Sequence, residues 1–254
     1  METTSHPTVE GRALRPVATA LAKVAKKGRS VPETLHHVRI DAVGRSSLRL
    51  TATDGETFFS IDLPAHLPGE VSPYLFSLER LRELLRGARA GDRIPLRKTK
   101  APPVEDFPDL PVIRSRAIEV SRDAAAALRQ AFACSSQDPT RSVLRGAFLD
   151  VQNEGSVRIV GTDGRHLFES RLLELPGLKH SVLLPAHPVL ECSLLCEGES
   201  WQLRLRAGGK GEAPSFRLSG SRWVSVSPGP SSLGRGSWPT VSEAARRFGG
   251  WSDP

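Results

Sequence analysis

Apolar and polar residues alternate along two stretches of the chain, LRLTATDGETFFSIDL from Leu48 and VRIVGTDGRHLFESRLL from Val157. Alternation at period two turns one face of a strand toward a core and the other toward water. In each stretch it breaks once, at Thr-Asp-Gly, and then resumes. The break is a turn signal, because Asp-Gly is the favoured pair of a two-residue hairpin: glycine takes positive φ freely and aspartate tolerates it. Each stretch therefore reads as strand, tight turn, strand.

The two stretches are one pattern written twice. Asp54 and Asp163 lie 109 residues apart, and that offset holds without a gap to either side. It carries Leu35 onto Leu144, Ile40 onto Leu149, Leu48 onto Val157, Leu50 onto Ile159 and Phe59 onto Phe168. Further on it carries Leu75 onto Leu184, Leu81 onto Leu190 and Leu85 onto Leu194. Registration of this kind marks a duplicated domain.

Helical periodicity flanks each hairpin. In ALRPVATALAKVAKKG, Leu14, Val17, Ala18, Leu21, Val24 and Ala25 share one face, with Arg15, Lys23, Lys26 and Lys27 opposite. SLERLRELLRGARAG follows the first hairpin, with Ser77 placed to cap it and Gly87 to stop it. SRDAAAALRQAFACSS precedes the second hairpin, and PAHPVLECSLLCEG after it reads as a fourth helix. The fold expected is α+β, with each copy packing two helices on an antiparallel sheet. The copies end differently: WQLRLRAGG and SFRLSGSRWVSVSPG follow the second, whereas DRIPLRK alone follows the first. The first sheet should be smaller by about one hairpin. The proline-rich PPVEDFPDLPVIRSR suits a crossing between domains, which gives domains at residues 12–116 and 117–241 and a tail at 242–254.

Composition narrows the class. The 254 residues are 39% hydrophobic and 25% charged, as in a soluble globular chain. No apolar run approaches the roughly 20 residues of a membrane span, and METTSHPTVEGR lacks the apolar segment of a signal peptide. A cytoplasmic protein is expected. Three cysteines form no disulfide framework, and Cys192 and Cys196 read as core thiols. The net charge of +7 favours a polyanionic partner. The histidines are scattered, and there is no phosphate-binding glycine loop, metal spacing or nucleophile motif. Neither an enzyme nor a cofactor is expected.

The duplicated Thr-Asp-Gly, the LRG at Leu144–Gly146, the LLPAHPVLE at Leu183–Glu191 and the EDFPDLP at Glu105–Pro111 together resemble the bacterial sliding clamp, the beta subunit of DNA polymerase III. The family's turn resembles ATDGHRLA, and GTDGRHLF here has its basic pair reversed. The resemblance, which spans most of residues 12 to 241, implies a ring of similar domains around duplex DNA, with helices lining the hole. It makes Arg15, Lys23, Lys26, Lys27, Arg80, Arg82, Arg86 and Arg89 candidates for phosphate contact, with Arg122 and Arg129 as a sparser set on the second copy. Diffuse phosphate attraction without base readout is what a sliding protein needs; a merely solvated face is the other reading. The resemblance also implies a pocket for short partner peptides, formed by Leu144, Thr162, Gly164, Arg165, His166, Leu167, Pro185 and Val189. The other reading makes Leu144, Leu167 and Val189 ordinary core. Bacterial clamps have three domains and close as dimers, so two-domain chains would need a homotrimer, and the shortened first copy favours a monomer or weak oligomer. Two functions stand: a processivity or accessory factor of replication or repair, and a clamp-derived interaction module that never encircles DNA.

Overall fold

The computed structural model describes residues 6–25, 31–138, 140–153, 155–195, 200–207 and 214–229. Lys26, Lys27, Cys196 and the expected tail at 242–254 lie outside them. The described residues form two compact units. The first takes those up to Val112 together with Cys192–Leu195 and Arg217–Ser227. The second takes the described residues of Ile113–Glu191, 200–207, 214–216 and 228–229.

In the first unit the order is β1 (Thr8–Glu10), α1 (Gly11–Val24), β2 (His37–Val43), β3 (Ser47–Thr53), β4 (Phe58–Pro64), β5 (Tyr74–Ser77), α2 (Leu78–Arg86) and β6 (Arg93–Pro95). The second unit contains β7 (Ile118–Val120), α3 (Arg122–Ala133), β8 (Gly146–Asn153), β9 (Ser156–Thr162), β10 (Leu167–Glu169), β11 (Leu173–Glu174), β12 (Val182–Pro185) and β13 (Trp201–Arg206). A final pair, β14 (Ser215–Ser219) and β15 (Trp223–Pro228), falls mostly in the first unit. The starts of β2 and β8, of β3 and β9, and of β4 and β10 are each 109 residues apart. The duplication read from apolar spacing is thus present in the backbone.

In the first unit the strand order is β5-β2-β3-β4-β15-β14. α1 packs on β3 and β4, where Leu48, Leu50, Ala52, Phe59, Ile61 and Leu63 are buried against Leu14, Val17, Leu21 and Val24. Alternation gives the opposite sheet face a polar character. There Arg49 makes two hydrogen bonds to Asp62 at 2.7 and 2.8 Å, and buried Thr51 bonds Ser60 at 2.8 Å. In the second unit β10-β9-β8-β12 form one sheet, with β11 also on β9, and β13 pairs with β7. Its face turned from α3 is apolar, with Phe148, Val160 and Leu183 buried together. Glycine fits α3 to the other face, since a Cβ on Gly161 would lie 2.2 Å from the Ala131 carbonyl oxygen.

Two local expectations are corrected. The Asp-Gly turns are four-residue loops, because the last paired residues are Thr53 with Phe58 and Thr162 with Leu167. Only the glycines take positive φ, 95° at Gly55 and 89° at Gly164, while each aspartate caps the loop with its side chain. The leucine-rich stretch after β12 forms two 3-10 turns, Pro188–Glu191 and Ser193–Leu195, instead of a fourth α-helix. Its apolar residues serve two masters: Val189 and Leu190 pack beside α3, whereas Leu195 is counted with the first unit and its turn packs on α1. In the first copy the Val9–Ile94 pair of β1 and β6 stands where the second has the Ile118–Leu203 pair of β7 and β13, and among the described residues up to Val112 no strands correspond to β14 and β15; β15 itself runs antiparallel to β4, with Trp223 opposite Ile61 and Val226 opposite Phe58. Phe59 and Trp223 stack there, with ring centroids 6.5 Å apart.

Candidate nucleic-acid and peptide interfaces

The first site is built where α1 and α2 pack side by side. The first turn of α1 has no side-chain cap; the loop after α2 supplies carbonyls instead. Gly11 N donates to Asp92 O and Arg12 N to Ala90 O, both at 2.8 Å. Any Cβ on Gly11 would sit 2.6 Å from Arg89 O, so glycine is what lets the loop close on the helix. Arg15 then donates from Nη2 to Ala88 O at 2.8 Å, which fixes its guanidinium at the end of the groove. On α2, Ser77 Oγ accepts from Arg80 N as the expected cap, at 3.4 Å. Gly87 ends the helix in an ordinary right-handed conformation.

Between the helices runs a groove of about 490 Å³, lined by Arg15, Ala18, Thr19, Ala22 and Lys23 of α1 and by Arg82, Leu85 and Arg86 of α2. The spacing explains the lining. Arg15, Thr19 and Lys23 recur every fourth residue, as do Arg82 and Arg86, so each set shares one helix face. Small side chains form the floor and four cations the rim. None of the described lining residues is acidic. Of the other predicted cations, Arg80 is turned to Glu83 at 2.8 Å, and Arg89 is exposed on the loop beyond α2. Arg122 is exposed at the start of α3, where neighbouring Asp123 pairs with Arg171, and Arg129 is half-buried. Sequence reading missed Ala18, Thr19 and Ala22; small residues between regularly spaced cations were their signal.

The second site surrounds the loop between β9 and β10. Asp163 Oδ1 accepts from the backbone N–H groups of Arg165 and His166, each at 2.7 Å, and Oδ2 lies 3.1 Å from His166 Nδ1. These bonds, with the backbone donors of His166 and Arg165 contributing most, hold its carboxyl well below the usual carboxylate range. Thr162 Oγ1 donates to His166 O at 2.6 Å and accepts from Gly164 N at 3.0 Å, closing the loop from within. Arg141 reaches Asp163 O at 3.3 Å, and Leu144 closes a short 3-10 turn by donating to Arg141 O. Gly146 permits the close pairing with β12, because a Cβ there would lie 2.2 Å from Leu184 O. Leu167 is left 46% exposed, Leu144, Gly164 and Pro185 are half-buried, and Arg165 and His166 are exposed. Thr162 is buried, and Val189 is fully buried beside α3. Val143, 42% exposed beside Leu144, was missed; nothing in SVLRG separates it from a core valine.

Two α+β repeats, each carrying the Thr-Asp-Gly loop in the same place, give the chain the fold of the DNA sliding clamps. No family model matches the sequence, and no curated protein matches it either. Solved structures do match. A DNA polymerase III subunit beta from Pseudomonas aeruginosa superposes with a TM-score of 0.69 at 21% identity, over 89% of this chain and 65% of that one. The sliding clamp from Bacillus subtilis gives 0.67 at 18% identity, over 94% and 67%. The beta subunit from Thermotoga maritima gives 0.65 at 16%, over 89% and 64%. The chain spans about two thirds of the length of the clamps it resembles. A further clamp from Pseudomonas aeruginosa, with a TM-score of 0.72, was solved bound to griselimycin.

Proposed function

We propose that the protein is a non-enzymatic, clamp-like accessory factor of DNA replication or repair, which holds duplex DNA through the groove between α1 and α2. The observation that carries this reading is the convergence of Arg15, Lys23, Arg82 and Arg86 on one groove without a carboxylate among its described lining. Such a rim attracts phosphates at any sequence, and the small floor lets a backbone approach the helices. The fold likeness to clamps supports the same reading. Residues 12–116 and 117–241 would be its two clamp-like domains. Partner peptides with an apolar anchor would dock beside the second loop, over Leu167, Leu144 and Pro185, with Gly164, Arg165 and His166 at the rim, while buried Thr162 would hold the loop from within and Val189 would stay in the core beside α3.

The test is binding of a fluorescent duplex across a salt series. Each lost phosphate contact lowers the slope of log affinity against log salt by about 0.9. The variant Lys23→Ala/Arg82→Ala/Arg86→Ala should therefore flatten the slope by about 2 to 3, equally for unrelated sequences. Equal binding by variant and parent at every salt concentration would show those cations to be merely solvated, and would leave the interaction module as the function.

Assembly follows from the same reading. A six-repeat ring of two-repeat chains needs three copies, and a first repeat that ends at the three-residue β6 offers a short edge for it. We propose a monomer or weak oligomer at micromolar concentration. Sedimentation equilibrium giving a stable trimer would restore the closed ring.

A further inference from the structure

Residues 87–92, GARAGD, connect α2 to β6 and carry one acidic side chain, that of exposed Asp92. Glycine and alanine fill most of the loop and give it little side chain to be held by. Asp92 closes it instead: its Oδ2 accepts from Arg89 N at 2.7 Å, and its own N–H donates to Arg89 O at 3.2 Å. The closed turn presents its carbonyls to α1. Asp92 O accepts from Gly11 N and Ala90 O from Arg12 N, each at 2.8 Å, and Ala88 O accepts from Arg15 Nη2 at 2.8 Å. The turn that holds the Arg15 guanidinium is therefore clasped by a carboxylate that itself lies outside the lining of the groove.

We propose that Asp92 is a positioning residue for phosphate binding at the α1–α2 groove, a role that rests on the reading of that groove as the duplex site. Its carboxylate fixes the loop, the Ala88 carbonyl of the loop fixes Arg15, and Arg15 meets a phosphate from a place it already holds. A free arginine side chain has many rotamers, and ordering it at the moment of binding costs affinity. The bond to Ala88 orders it beforehand and leaves other N–H donors of the guanidinium for a phosphate. Coulomb's law alone gives the opposite expectation. A carboxylate close to a cationic groove repels phosphate, so its removal should tighten binding. The two accounts differ in sign, and the hydrogen bond to Arg89 N is what separates them.

Two variants of the full chain test this, titrated with a fluorescent DNA duplex of arbitrary sequence across a salt series. Asp92→Ala removes both the charge and the acceptor; Asp92→Asn removes the charge and keeps a carbonyl acceptor for Arg89 N. Asp92→Ala should weaken binding by about three- to tenfold, the fold-change of ordering one such side chain, and flatten the salt slope by up to about 0.9. Asp92→Asn should bind at least as tightly as the parent. In an Arg15→Ala background, Asp92→Ala should bring no further weakening, because the residue it acts through is gone. Nitrogen-15 relaxation of the Arg15 side chain in the free protein gives a readout independent of DNA: ordered in the parent and in Asp92→Asn, mobile in Asp92→Ala. Equal affinities for the Ala and Asn variants, or an Arg15 side chain equally ordered in both, would overturn the proposal while the parent's salt-dependent binding upheld the duplex reading. A parent without salt-dependent duplex binding would overturn that reading and this proposal with it. Should Asp92→Ala fail to fold, Arg15→Lys, which keeps the charge but loses the planar fork, must weaken binding by a similar factor, and parental affinity in that variant would overturn the proposal.

Discussion

The same loop closes both repeats, yet its surroundings have been put to opposite uses. In the first repeat Leu35 is buried close to Gly55, Phe58 is covered by β15, and the outer sheet face carries the Arg49–Asp62 and Thr51–Ser60 pairs. In the second, the matching positions hold half-buried Leu144, exposed Leu167 and apolar Val160. Their helices differ in the converse sense, α1 and α2 framing a cationic groove and α3 exposing Arg122 beside an Asp123–Arg171 pair. Duplication supplied two identical frames, and the side chains that do not hold the frame diverged. One copy presents charge on its helices; the other exposes Leu167 beside its loop.

The largest expected effect breaks the comparison at a single pair of matched positions. Phe58→Ala should destabilise the protein by about 3 to 4 kcal/mol, the range for emptying a buried aromatic site. Leu167→Ala, at the matched but half-exposed position, should cost less than about 1 kcal/mol. Urea unfolding measures both, and equal losses would place Leu167 in the core. Gly161→Ala comes next. Its Cβ would meet the Ala131 backbone at 2.2 Å, and a loss of about 3 kcal/mol is expected. The mirror change, Ala52→Gly, leaves room and should cost about 1 kcal/mol. Similar values for the two would mean that both helices sit equally close to their sheets.

A third effect is on binding alone. Leu144→Ala and Leu167→Ser should each weaken a peptide with a leucine or phenylalanine anchor by about tenfold or more, about 1.4 kcal/mol, without altering duplex affinity. Calorimetry on both ligands separates the sites. The smallest effect is acid sensitivity of the second loop. The Asp163 carboxyl is held below its ordinary value of 3.8 in the folded chain. Its contribution is therefore complete above the unfolded-state value and is lost as pH falls below about 4 toward the depressed folded value. Asp163→Asn should flatten the acid limb of a stability–pH curve, and an unchanged limb would show that the loop bonds do not favour the ionised form.

Much of the frame was legible because it is local. The strands around each Asp-Gly, the apolar face of α1 and the Ser77 cap follow from neighbours in sequence, and the 109-residue offset is that local pattern written twice. What escaped was long-range. Periodicity says which face of Trp223–Pro228 is apolar but not that its neighbour is β4, some 160 residues earlier. The same blindness made Pro188–Leu195 look like one helix, since its leucines face partners in two units. At the candidate sites, the spacing of Arg82 and Arg86 gave their common face, whereas the partnership of Arg80 with Glu83 depends on rotamers that spacing does not specify.

The division of labour is tested most directly by amide chemical-shift mapping with a short DNA duplex of arbitrary sequence. The account predicts saturable shifts at Arg15, Thr19, Lys23, Arg82 and Arg86, reduced by salt, with α3 and the Asp163 loop unmoved. Shifts of equal size along α3, or none along α1 and α2, would contradict it.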